Sequence, residues 1–117
     1  WPADPPAQAR SLAAFFEQYL RRHFAVEDQV VFPAALECGD EAGALVQRLA
    51  QEHRQMTELI RELAAAAVVE AGALAAFGTL LNAHVRLEDR NLFPLMEAGL
   101  PAGRLMRLQA DVESLYR

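Results

Sequence analysis

The chain has 117 residues, 53% of them hydrophobic, with 11 basic against 16 acidic side chains; that bounds it to one domain, residues 1–117, with a core of workable size. With no basic stripe, it lacks the surface that nucleic acid requires. Its longest wholly apolar run, Leu63 to Val69, is too short to span a bilayer, while a single cysteine, Cys38, and no visible secretory signal point to a reducing, cytoplasmic setting.

Alanine, leucine, glutamate and arginine dominate and β-branched residues are sparse, which favours an all-α fold. The start, Trp1 to Pro6, holds three prolines and reads as the middle of a loop. The spacing then predicts a helix from about Pro6 to Glu37, with an apolar stripe of Leu12, Phe16, Tyr19, His23, Val26/Glu27 and Val30. Cys38-Gly39-Asp40 should end it. A second helix, about Glu41 to Ala67, carries Leu45/Val46, Leu49, His53, Met56, Ile60, Leu63 and Ala67, and Glu70-Ala71-Gly72 makes a weak break. A third, about Ala73 to Ala98, carries Leu74, Phe77, Leu81, His84, Glu88, Asn91/Leu92 and Leu95, and stops at Gly99-Leu100-Pro101. A short tail helix, Ala102 to Tyr116, places Leu105, Leu108, Val112 and Leu115 on one face. Pro33 and Pro94, late in their helices, should kink or end them.

One pattern occurs twice. His23 precedes Glu27-Asp28 by four residues and leads to Phe32-Pro33; His84 precedes Glu88-Asp89 by four and leads to Phe93-Pro94. On a helix, i and i+4 share a face, so each copy aims an imidazole and a carboxylate at the same neighbouring space. Two such helices face to face make a nitrogen and oxygen donor set suited to a first-row transition metal. All three histidines fall on an apolar stripe, which chance would give about one time in twelve when a stripe takes three positions in seven. His53 is then the natural fifth donor beside His23, Glu27, His84 and Glu88. The bland alternative is two exposed i,i+4 ion pairs, common and weak, but it does not explain why the pairs sit on the seam or recur with their Phe-Pro ending. Thr57 is not a useful ligand, Glu52 and Glu58 lie off the seam as surface charges, and Asp28 and Asp89, turned from the ligand face, belong to an outer shell or to solvent. Tyr19 reads as core, or as a hydroxyl able to reach a small molecule on the metal. Cys38 reads as a bystander.

These residues resemble the hemerythrin-like family, the HHE cation-binding domains, over about Ala9 to Leu95. The resemblance implies an up-down four-helix bundle around a non-haem di-iron centre, with His23 and Glu27 matching the family's second helix, His53 its third, and His84 and Glu88 its fourth. It implies iron as cofactor, with manganese or zinc as alternatives, and dioxygen or another small molecule as ligand, for sensing, storage or iron and redox handling. Two features depart from the pattern. No residue matches the first-helix histidine, so the first helix is expected to be missing from this sequence, and Thr57 stands where many members have a second histidine on the third helix. A set of three histidines and two carboxylates is poorer in nitrogen than that of the oxygen carriers. With no nucleophile beside a base, no catalytic residue is assigned; a metal- and gas-binding module is favoured over an enzyme with an organic substrate. The competing class is a metal-free or vestigial bundle serving as a structural or interaction module. An open fourth wall would be covered by an upstream segment, ranked first, by a second copy in a homodimer, or by the tail helix folding back.

Overall fold

The computed structural model describes residues 5–65 and 71–116. The expected opening loop at Trp1–Asp4, the second helix's end at Ala67 and the start of the break at Glu70 lie outside the described residues. Those described form four helices and no strand: α1 over residues 5–38, α2 over Asp40–Ala65, α3 over residues 71–99 and α4 over Ala102–Leu115. None is long and apolar enough to cross a membrane.

The α1–α2 turn is tight because Gly39 takes φ of +99°, a left-handed conformation that side chains resist. Its carbonyl accepts from the Gly43 amide at 3.0 Å, starting α2, whose first turn carries Asp40 and Glu41 at the positive end of the helix dipole. The chain runs up, down and up again, as the two apolar clusters record. One joins Leu12, Phe16, Leu20 and Phe24 of α1 to Met56, Ile60 and Leu63 of α2 and Leu74 and Phe77 of α3. The other joins Phe32, Ala34 and Ala35 to Ala42, Val46 and Leu49, and to Leu92, Met96 and Leu100. Between them lies a polar layer holding the buried Glu27, Glu52, His53, His84 and Glu88. Below the second cluster α1 and α3 meet closely: a Cβ on Gly99 would stand 3.1 Å from the Cys38 Sγ.

Two expectations need correction. First, Pro33 and Pro94 do not end their helices. Each follows a π turn, Glu27–Val31 or Glu88–Leu92, by two residues. There Phe32 N–H donates to the Glu27 carbonyl and Phe93 N–H to that of Glu88. The wider turn gives the proline ring room where an α-helix would press it against a carbonyl. The repeat in sequence is thus a repeat in backbone, and both π turns begin on the motif's glutamate. Second, a further π turn, Phe16–Leu20, shifts the phase of α1. Its inward residues are Leu12, Phe16, Leu20, Phe24 and Phe32 rather than Tyr19 and His23. Tyr19 is 61% exposed, against Phe15, and His23 lies at the rim. An extra residue per turn cannot be seen in a count that assumes the α-helical period.

The tail helix folds back, as the third of the expected coverings. Leu105 and Leu108 pack on the second cluster, and Arg104 makes a two-pronged bond to Glu37, its Nε and Nη2 donating to Oε2 at 3.1 and 2.9 Å. That pairing holds the Glu37 carboxyl below the usual carboxylate range. Its side of the bundle stays partly apolar, with Phe15, Tyr19, Val85, Met106, Leu115 and Tyr116 exposed.

Candidate metal centre

The centre of the layer is a contact between two rings. His53 Nε2 stands 3.1 Å from His84 Nε2 and 3.0 Å from Glu27 Oε1. His84 Nε2 stands 2.8 Å from Glu88 Oε1 and 3.8 Å from Glu27 Oε1. The other nitrogen of each ring is also engaged: His53 Nδ1 with Asp28 Oδ1 at 3.0 Å, His84 Nδ1 with Glu52 Oε1 at 2.9 Å. Phe24 stacks on the His53 ring at 4.1 Å and 16°, and Phe32 at 5.2 Å and 20°. Such packing allows the imidazole little rotation.

A carboxylate only accepts, and both nitrogens of each ring face one, so a neutral imidazole, with its single N–H, cannot donate to both sides. The two Nε2 atoms also face each other, and the buried Glu88 Oε2 has no hydrogen-bond partner among the described residues. Acceptors gathered with too few donors are costly in a low dielectric, and a cation among the Nε2 atoms and the oxygens of Glu27 and Glu88 would relieve that, leaving each Nδ1 to carry the proton and donate outward. Donor atoms about 3 Å apart are also what bonds of about 2.1 Å at right angles require. The arrangement fits a metal of the nitrogen and oxygen type.

His23 completes the set from the rim. Its Nε2 lies 3.4 Å from Glu27 Oε1, with the side chain 51% exposed. Two groups of donors within 4.8 Å of one another result, Glu27 with His53 and His84, and His23 with Glu27 and Glu88. Glu27 belongs to both. Burial alone would raise its carboxyl pKa, but once the neighbouring rings carry their protons, hydrogen bonds from His53 and His84 and the charges of His23 and His53 outweigh that and hold it below the ordinary value.

All five residues expected as ligands therefore meet in one place, although His23 is exposed rather than on the core face. The Thr57 hydroxyl donates to the His53 carbonyl at 2.7 Å. Asp28 stands behind the His53 ring, its Oδ1 3.0 Å from Nδ1. Glu52 is the correction: expected on the surface, it is buried on His84 Nδ1, its other oxygen 3.4 Å from the exposed Arg48 Nε. Helix phase alone puts Glu52 beside His53 and off the seam. Only the angle at which α3 crosses α2 brings it under His84, and spacing within one helix does not encode that angle. Carboxylates behind metal-bound imidazoles fix ring orientation and raise basicity. Glu52→Ala should weaken metal binding by about 10- to 100-fold, measured by competition with a chromogenic chelator, while circular dichroism shows the helices intact. An affinity within twofold of the parent would deny Glu52 this role.

Tyr116, also missed as a site residue, closes the rim with its hydroxyl 3.3 Å from His23 Nδ1 and its ring under the Arg22 guanidinium, 5.8 Å from the ring centre. Burial, with the charge of Glu27, pushes its hydroxyl pKa up.

Compared with known proteins, residues 2–96 match the family model described as the hemerythrin HHE cation binding domain. No curated protein and no solved structure gives a significant match.

Proposed function

Since the chain belongs to the hemerythrin HHE cation-binding domain family, we propose that its cluster is a di-iron site that binds dioxygen or another small molecule, for sensing, storage or iron and redox handling. Glu27, His53 and His84 would hold one ion and His23, Glu27 and Glu88 the other, Glu27 being common to both donor groups. The observation that carries this is the convergence of two imidazole Nε2 atoms on the carboxylates of Glu27 and Glu88, one of whose buried oxygens lacks a partner among the described residues. Iron bound there supplies redox chemistry and open positions for a small ligand; the chain supplies the rest. Asp28 and Glu52 keep both imidazoles in the binding tautomer. Phe24 and Phe32 stack on the His53 ring and hold its orientation. A groove of about 630 Å³, lined by Phe15, Tyr19, Leu20, Leu81, Val85 and Tyr116, reaches His23 and His84. Its mostly apolar walls suit a small uncharged molecule better than an oxyanion.

The test is anaerobic loading with ferrous iron followed by elemental analysis of the desalted protein. About two irons per chain, one for each donor group, with near-ultraviolet charge-transfer bands on exposure to air, is the expected result. A colourless chain that retains no iron and folds equally well without it would support the structural module instead.

A further inference from the structure

Each histidine of the cluster has an oxygen behind its Nδ1. For His53 it is Asp28 and for His84 it is Glu52; for His23 it is the Tyr116 hydroxyl. Tyr116 arrives from far along the chain, on the C-terminal cap of α4. The start of α4 is fixed to the end of α1 by Arg104 and Glu37, and Leu105 and Leu108 seat it on the lower cluster. Its fourteen residues rise about 21 Å, enough to span from that anchor to the rim. The tyrosine ring then lies under Arg22, the residue before His23.

We infer that Tyr116 is a positioning residue for His23, holding its ring with Nε2 toward Glu27, so that the second metal position forms only when α4 is docked. The inference rests on the di-iron reading above. His23 needs such a partner more than the other two do. It is half exposed and stacked on nothing as closely as His53 on Phe24, so without a hydrogen bond its ring turns freely and holds either tautomer. A phenol hydroxyl, which can donate to Nδ1 or accept from Nδ1–H, removes that freedom at the rim, much as Asp28 and Glu52 do inside. One consequence separates this from a merely structural contact: removing the hydroxyl weakens only the position that contains His23.

Tyr116→Phe isolates the hydroxyl, since the ring stays under Arg22 and α4 keeps its Arg104 and leucine anchors. Two readouts decide. In the metal-free protein, the ring nitrogen shifts of His23 should report one held tautomer in the parent and a mixture of the two in the variant. In stepwise ferrous titration against a chromogenic chelator, the weaker binding step should lose about 10- to 100-fold in affinity, and the tighter step should not move. An unchanged His23 tautomer overturns the inference, whatever the affinities do. So does a changed tautomer with both steps unaltered, or a loss spread equally over both. If the parent takes up no iron, the di-iron reading fails by itself, and the tautomer comparison still decides whether Tyr116 orients His23.

Discussion

His84→Ala should cost the protein both its metal and a large part of its stability. The ring is almost fully buried and contacts Glu52, Glu88 and His53 at 2.9, 2.8 and 3.1 Å. Removing it leaves buried carboxylate oxygens of Glu52 and Glu88 without the ring. An unsatisfied buried acceptor costs about 1–3 kcal/mol and the cavity left by a buried ring adds to that, large against the total of about 5–15 kcal/mol that holds a domain together. His23→Ala is the contrasting case. Its side chain is half exposed and meets Glu27 at a longer 3.4 Å, so metal-free stability should change by less than about 0.5 kcal/mol while the second metal position is lost. Urea unfolding of the two metal-free variants, beside iron counts on the loaded ones, separates these effects. Equal stability of the His84 variant and the parent would mean that the layer is not organised around that ring.

Metal loading should raise the melting temperature, mild acid should undo that gain, and lower pH should then remove the contribution of Glu27. At free metal 100-fold above the dissociation constant, binding to the native state adds about 2.7 kcal/mol, roughly 10 °C for a chain of this size. An imidazole must be deprotonated to bind, so metal depresses the folded-state pKa of its ligands. That contribution is present above the unfolded histidine value of about 6.5 and fades as pH falls below it. Glu27 acts lower. Its folded pKa lies below the ordinary 4.5, so its contribution is full above that value and is lost only as pH falls further, through the depressed pKa. The loaded protein should therefore lose its extra stability near pH 6, and the Glu27 contribution to the metal-free protein should be lost only at lower pH, below the ordinary carboxylate value. Melting curves with and without chelator across pH 7 to 3 test this; curves that coincide with and without chelator at neutral pH would contradict it.

Much of this was legible in the sequence, for reasons that differ by element. The α2 and α3 stripes read correctly from Val46 to Leu63 and from Leu74 to His84, since both run at the ordinary helical period where those residues lie. The doubled motif located the cluster because a shared face is fixed by local geometry alone. What stayed hidden is non-local or non-standard. The Phe16–Leu20 π turn moved Tyr19 and His23 off the core face. The prolines looked like breaks, yet the preceding π turns carry the helix past them. Glu52 and Tyr116 reach their histidines across 32 and 93 residues of chain, and the packing of helices decides such pairs. His23 at the rim also weakens the chance argument from three buried histidines; its place near Glu27 now rests on a distance.

Iron-edge X-ray absorption on the loaded protein, with the parent and His84→Ala measured side by side, tests the central claim most directly. The account predicts two irons per chain in the parent, bound by imidazole nitrogen and carboxylate oxygen with an iron–iron vector, one ion for each of the two donor groups, and loss of that signal in the variant. A parent chain whose iron is bound only by water and surface carboxylates, or whose spectrum is unchanged by removing His84, would contradict it.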